Sequence, residues 1–354
     1  MMDPATFRAI VSGQRRDLAA RAARGALCVA EWPYRWAVGW RNRRYDRDPT
    51  TVHRAGVPVI SVGNLTLGGT GKTPMVEYLA RWLLGRGQRV VLISRGYGSR
   101  SGAANDEALE LAQKLPEVPH LQNPDRVAAA AEAIARHRAE AILLDDAFQH
   151  RRIARDLDLV MLDALEPFGF DHVFPRGTLR EPPEGLRRAD AVVLSRADLI
   201  EPHQRERLWQ RVACYAPDAP QIEAAHAPVD LLAPDGSVEA LDAMHDRPVA
   251  AFCGIGNPEG FRRTLQRIGC RLLGRRTFPD HHRYTAEEAA ELHDWARRLG
   301  AEALLCTQKD LVKFTAAPPL DCPLRAVRIA MQLTHGEEQL IERLTRLWPT
   351  KHIG

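Results

Sequence analysis

One segment constrains this chain more than any other. The β-prone run Val59-Ile60-Ser61-Val62 feeds directly into Gly63-Asn64-Leu65-Thr66-Leu67-Gly68-Gly69-Thr70-Gly71-Lys72-Thr73, and an amphipathic helical pattern follows to Leu84. Strand, glycine-rich loop and helix in that order make a phosphate-binding loop. Glycines let successive backbone N–H groups curl around phosphates, and the helix that follows points its positive end at them. The tripeptide Gly-Lys-Thr alone would be weak. The strand before it, three glycines within residues 68–71 and the helix after it make the pattern specific. Thr66, Leu67, Gly68, Gly69, Thr70, Gly71, Lys72 and Thr73 are therefore the expected nucleotide cradle. Lys72 is placed to reach the β- and γ-phosphates of ATP, and the Thr73 hydroxyl to ligate Mg²⁺. The strict pattern asks for glycine at position 66, where this chain has threonine.

Around that loop the sequence alternates short apolar runs with helical stretches, which predicts a mostly parallel sheet covered by helices. Expected strands are Pro58–Val62, Arg89–Ser94, Ala141–Leu144, Leu157–Leu162 and Ala191–Leu194, with helices at Thr73–Leu84 and Arg126–Arg138. The proline-bearing stretch Tyr215–Gly236 reads as a linker. A second alternation follows: a strand Val249–Cys253, a helix to Ile268, a strand near Leu272, a helix Ala286–Leu299, and strands at Ala303–Cys306 and Leu324–Ile329. A closing helix is expected over Glu337–Leu347. The fold class is thus α/β: a P-loop NTPase-type domain over 57–222, a smaller α/β domain over 223–354, and a separate N-terminal segment, 1–56. At 354 residues, 45% hydrophobic and 27% charged, the chain has ample material for two such cores.

The N-terminal segment stands apart in charge. Residues 1–54 hold eleven Arg, no Lys and five Asp or Glu, a net +6 in a chain whose total is +4. Trp32, Tyr34, Trp36 and Trp40 are interleaved with those arginines. Aromatic rings and guanidinium stems both suit the boundary between headgroups and acyl chains. Arg21, Arg24, Glu31, Pro33 and Arg35 interrupt Leu18–Trp40, so an amphipathic helical segment lying on an anionic membrane surface is expected, not one spanning it. No cleavable signal peptide is expected. The six cysteines form no CxxC pair, which points to buried free thiols in a reducing compartment and to no zinc site.

A metal on the triphosphate also needs a carboxylate from a neighbouring strand, and Ala141–Leu144 ends in Asp145-Asp146. Asp145-Asp146-Ala147-Phe148-Gln149-His150 resembles the DDGFQH segment of the tetraacyldisaccharide 4′-kinases, the lipid A 4′-kinases of Gram-negative bacteria. Further segments agree in order: Val62-Gly63-Asn64-Leu65-Thr66, where the family also has threonine, then Ser94-Arg95-Gly96-Tyr97-Gly98 and Leu179-Arg180-Glu181-Pro182. Gly254-Ile255-Gly256-Asn257-Pro258, Phe278-Pro279-Asp280-His281-His282 and Thr307-Gln308-Lys309-Asp310 complete a match over about residues 57–313. Two departures stand out. Ala147 replaces a glycine, and Asn105-Asp106-Glu107-Ala108 stands where the family reads GDEP.

The resemblance implies transfer of the ATP γ-phosphate to the 4′-hydroxyl of a tetraacylated glucosamine disaccharide 1-phosphate, in two hinged α/β domains with the active site in their cleft. It implies Asp106 as general base with His281 as its partner, and Glu181 as a third contributor to Mg²⁺ beside Thr73 and Asp146. Asp145 is left to orient a ligand or the acceptor. Gln149, His150, Arg95 and Arg180 are expected to line the site, the arginines against phosphate. The expected location is peripheral or monotopic, on the cytoplasmic face of the bacterial inner membrane. The partners are a lipid-linked disaccharide and the anionic surface, with no nucleic acid and no required protein. The competing class is a nucleotide switch or metallochaperone NTPase. Such a switch would show a guanine-reading NKxD-like segment, which Ser195-Arg196-Ala197-Asp198 and Thr307-Gln308-Lys309-Asp310 fit poorly. An RNA- or DNA-acting enzyme is a weaker third reading, since no nucleic-acid-binding signature accompanies the basic end.

Overall fold

Six consecutive residues with every side chain buried, Val59–Asn64, form strand β1. A run buried on both faces is what a parallel sheet covered by helices demands. The computed structural model describes residues 4–96, 106–280, 282–314 and 322–348. By packing, the chain divides into two compact units, one of Met1–Arg95, Val118–Ala225 and Leu333–Gly354, the other of Gly96–Glu117 and His226–Gln332.

In the first unit β1 is joined by β2 (Val90–Ser94), β3 (His120–Gln122), β4 (Ala141–Asp145), β5 (Leu157–Asp163), β6 (Ala191–Ser195) and the start of β7 (Gln221–Leu232). The strand order is β7-β6-β5-β1-β4-β2-β3, and every neighbour pair is parallel. In passing from β1 to β2 the chain skips one position, which β4 later fills. That skip brings the carboxyl ends of β1 and β4 together, with Val62 opposite Asp145. Ligands of open α/β sheets collect at such ends. Helix α3 (Lys72–Leu84) leaves β1 through the glycine-rich loop. On one side of the sheet Val59, Val91, Ile142 and Leu144 pack against Ala129, Ala130 and Ala133 of α5 (Arg126–His137). Beneath the loop Leu65, Phe148, Val160, Leu162 and Leu179 form a closed cluster. Each such large side chain contributes roughly 1.5–3 kcal/mol by leaving water, so the loop rests on a rigid floor.

The N-terminal residues belong to this unit and are not a separate segment. Helix α1 (Pro4–Val11) precedes α2 (Leu18–Arg47), a 30-residue helix that runs through Pro33. Proline costs a helix one N–H and crowds the preceding turn. Here Pro33 is exposed, so water can meet the carbonyl left over. No described helix is long and apolar enough to cross a membrane.

The second unit holds β9 (Pro248–Cys253), β10 (Arg271–Thr277), β11 (Ala303–Thr307) and β12 (Leu324–His335) in the order β10-β9-β11-β12. Helices α7 (Pro258–Ile268) and α8 (Ala286–Arg298) connect them, and α4 (Asp106–Lys114) packs on α9 (Gln308–Leu311). Buried Asp310 ties the unit together, accepting from the Gly254 N–H at 2.9 Å, the Tyr284 hydroxyl at 2.8 Å and Thr307 Oγ1 at 2.6 Å. Two of the resembling segments, around Gly254 and Asp310, thus meet in a structural knot.

Three expectations change. Tyr215–Gly236 is no linker, because most of it is β7, which pairs with β6 over Gln221–Ala224 and with β8 (Val238–Glu239) over Leu231–Leu232. Pro228 falls between those two ladders, and β12 is a further neighbour of β7 in the sheet. The closing helix α10 (Glu337–Leu347) packs with the first unit, and α4 with the second, so neither 57–222 nor 223–354 is a packing unit as drawn. Of the thiols, Cys253, Cys306 and Cys322 are buried, whereas Cys28 and Cys214 are exposed.

Candidate active site

The phosphate-binding loop is shaped by internal bonds. Asn64, fully buried at the end of β1, donates from Nδ2 to the Gly68 carbonyl at 3.3 Å and to Thr70 Oγ1 at 3.1 Å. Gly68 and Gly71 take φ values of +126° and +83°, which only glycine adopts freely. Gly71 caps α3, and its turn leaves the first helical N–H groups, with Lys72 and Thr73, facing the loop. Thr66 at the strict glycine position sits in an isolated antiparallel bridge with Leu179. On either side the Leu67 N–H donates to the Thr178 carbonyl at 2.7 Å and the Arg180 N–H to the Leu65 carbonyl at 2.6 Å. Extended backbone accepts a β-branched residue, which explains the departure. Leu67 itself is exposed. Arg196, at the end of β6, pairs with Asp163 at the end of β5 and donates to the Gly69 carbonyl at 2.9 Å. Arg196, within the poor NKxD match, therefore braces the loop from outside.

Asp145 and Asp146 end β4 beside this loop. Asp146 has φ +54° and its N–H is held by the Val62 carbonyl at 2.9 Å, which turns its carboxylate toward Lys72. Lys72 Nζ lies 3.6 Å from Asp146 Oδ1, while Arg180 Nη1 bonds both carboxylate oxygens at 2.7 and 2.8 Å. Burial pushes the Asp146 carboxyl up, but Lys72 and Arg180 outweigh it and hold the group below its ordinary range. Ala147 is buried and lies outside the left-handed region, so the family's glycine is not required there. The close approach falls on Gly63 instead, where a Cβ would stand 2.5 Å from Phe148 Cβ.

Glu181 is fully buried and surrounded by donors: Arg188 Nη2 at 2.8 and 2.9 Å, Asn42 Nδ2 at 2.8 Å and Gln149 Nε2 at 3.1 Å. Gln149 also donates to the Asn64 carbonyl at 2.9 Å. Glu181 and Gln149 thus form an internal bracket joining α2 to the end of β1. His150 has a buried Nε2 without a hydrogen-bond partner, and burial, then Arg126, Arg152 and Arg155, push its pKa down to about 4. It is neutral at physiological pH. Arg95 is exposed just beyond β2. Asp106 begins α4, which packs in the second unit, and His281 lies outside the described residues. Asp106 was expected in the first domain, opposite His281 across a cleft.

Arg126 is a residue the sequence reading passed over. It opens α5, is 2% exposed, and donates to the carbonyls of Asn123 and Pro124 at 3.3 and 3.4 Å. Burial lowers its pKa, as does Arg95, while Asp146 and Asp145 act in the opposite sense. Arg126 is thus a deeply buried cation within electrostatic reach of Asp145 and Asp146.

Among the described residues no group of three or more His, Cys, Asp or Glu could hold a metal unaided. Mg²⁺ on a nucleotide asks for less: a hydroxyl, one or two carboxylates, phosphate oxygens and water. Thr73 with Asp145 and ionised Asp146 supplies hard oxygens of that kind, and they fit the ion.

The profile of the family described as LpxK, tetraacyldisaccharide-1-P 4′-kinase, matches residues 23–348. A curated tetraacyldisaccharide 4′-kinase from Anaeromyxobacter dehalogenans (strain 2CP-C) is 42% identical over 335 residues, covering 89% of this chain and 88% of the relative. This chain belongs to the tetraacyldisaccharide 4′-kinase family. A second relative of that name, from Geobacter sulfurreducens, is 36% identical over 92% of this chain and 94% of its own length. Among solved structures, apo-form LpxK from Aquifex aeolicus in complex with ATP superposes with a TM-score of 0.74 at 30% identity, over 92% of this chain and 99% of that one. The chain is accordingly an enzyme, a kinase, and a nucleotide switch is not its class. In this 4′-kinase Asn64 and Arg196, which bond to the phosphate-binding loop, and buried Arg126 are residues that motif spacing did not single out. Their signal was weak because each acts through the fold, from strand or helix ends far apart in sequence.

Proposed function

We propose that this kinase transfers the γ-phosphate of ATP to the 4′-hydroxyl of a tetraacylated glucosamine disaccharide 1-phosphate. The observation that carries the reading is Lys72, Asp146 and Arg180 gathered at the mouth of the phosphate-binding loop. On nucleotide binding Lys72 leaves Asp146 for the β- and γ-phosphates, and the loop N–H groups take the remaining charge. Mg²⁺, when bound at Thr73 with Asp145 or Asp146, supplies further neutralisation of the phosphate oxygens. Lys72 and Arg180 hold Asp146 ionised, and Arg180 and Arg126 meet phosphate charge. Asp106 accepts the proton of the sugar hydroxyl, with His281 beside it. The test is turnover with and without a lipid-linked disaccharide. ATP consumption should require that acceptor, and Asp106→Asn should bind ATP as the native protein does while losing about 10²–10⁴ in acceptor-dependent rate. ATP hydrolysis at the same rate without acceptor would reject the assignment.

We also propose peripheral attachment to an anionic membrane surface, on its cytoplasmic side. Leu18, Val29, Trp32, Trp36 and Trp40 of α2 are 59–81% exposed, and at 3.6 residues per turn they share one face. Asn42, Tyr34 and Glu31 on the same helix bond to Glu181, the Arg180 carbonyl and the Val173 N–H. An interfacial helix so anchored would hold a lipid-borne acceptor near the phosphate loop. Vesicle binding should weaken as salt rises, and Trp36→Ala with Trp40→Ala should remove the salt-resistant part. Unchanged vesicle binding in that double variant would place the contact elsewhere.

A further inference from the structure

A second cationic site lies away from the phosphate loop. A cavity of about 580 Å³ opens where the end of α1 meets the start of α2 and the loop near Phe170, with Arg16, Arg21, Arg24 and Arg176 in its walls. Two of these are built in. Arg24 Nη1 donates to the carbonyls of Ile10 at 3.1 Å and Arg15 at 2.6 Å, and Arg176 Nη1 to that of Val11 at 3.0 Å. Arg176 Nε is buried without a hydrogen-bond partner. The side chains of Arg16 and Arg21 form no ion pair or hydrogen bond among the described residues and remain exposed. Asp171, the acidic residue in the lining, is paired with Arg211, and His172 with Glu31.

We propose that this cavity binds the phosphate of an acidic phospholipid headgroup. The inference rests on the membrane reading of α2. Four guanidinium groups around one cavity repel one another unless an anion enters, and planar forks of N–H donors match phosphate oxygens. Position selects a lipid over a dissolved ion. Leu18, 81% exposed, opens both α2 and its apolar stripe, and Arg21 lies about 60° round the helix from it. With the stripe at the acyl boundary, groups on its flank lie at the level of headgroup phosphates.

The test uses the full chain, sedimented with vesicles of phosphatidylcholine alone or mixed with phosphatidylglycerol. Arg16→Gln with Arg21→Gln should lower affinity for the mixed vesicles about tenfold or more. Binding to phosphatidylcholine, and turnover of detergent-dispersed acceptor, should remain unchanged. Arg35→Gln with Arg43→Gln removes the same amount of charge from exposed positions of α2 outside the cavity, and should cost no more than about twofold. Equal weakening by both pairs would show diffuse attraction and overturn the site. So would full binding by the Arg16/Arg21 variant. If inorganic phosphate stabilises the native protein but not that variant, while both bind vesicles alike, the site serves a dissolved anion and the headgroup assignment falls. Failure of the native protein to bind any vesicle would instead remove the membrane reading, and this proposal with it.

Discussion

Lys72→Ala should abolish most turnover, by about 10²–10³-fold or more, in a protein that still folds. The two halves of that expectation come from different features. The ammonium lies 3.6 Å from Asp146 Oδ1, too far for a strong hydrogen bond, and Asp146 keeps both bonds to Arg180 when Lys72 is gone. The fold therefore loses little. Chemistry loses the charge that a phosphoryl group in flight needs most. The carboxyl of Asp146 would rise toward its ordinary range once Lys72 is removed, since the Lys72 charge is the largest single effect holding it down. Ordinary carboxylates are still ionised at neutral pH, so protonation of Asp146 does not explain the loss. Acceptor-dependent ATP consumption, read beside thermal unfolding, checks both halves. Turnover within tenfold of the native enzyme, at native stability, would remove Lys72 from the reaction.

How far this site was legible in the sequence depends on how local each signal is. The loop Gly68–Thr73 and the acids Asp145-Asp146 were visible because strand, turn and helix periodicities are written in consecutive residues. Most strands and helices were placed within one or two residues for the same reason. β7 was missed because Pro228 within it, and Pro217, Pro220 and Pro234 around it, read as breakers, and only its neighbours β6, β8 and β12 in the sheet show a strand there. α4 and α10 were assigned by sequence order to units other than those they pack with, since order along the chain does not record which core an amphipathic face finds. Arg126 looked like an ordinary helix-opening arginine. Only burial beside two acids distinguishes it, and burial of a single charged residue has no local pattern.

Glu181 carries the second large effect, and it separates two roles that the motif alone confuses. As a metal ligand it would need an oxygen open to the ion. It is instead fully buried, with Arg188, Asn42 and Gln149 all donating to it. A buried carboxylate in such a net is an anchor, and removing it strands a buried guanidinium that is also stacked over Phe148 at 4.5 Å. Breaking one side of a buried ion pair costs about 3–5 kcal/mol. At about 2–4 °C per kcal/mol for a unit of this size, Glu181→Ala should melt roughly 6–20 °C lower with neither nucleotide nor Mg²⁺ present. Glu181→Gln keeps an acceptor but not the charge, and should fall between the two. The same bracket positions Gln149 on the Asn64 carbonyl, and Asn64 holds the loop at Gly68. ATP affinity should therefore decline with stability, at every Mg²⁺ concentration. The opposite pattern, native melting without ligands and a raised Mg²⁺ requirement for turnover, would return Glu181 to the metal. It would also mean that the donors around it rearrange when nucleotide binds.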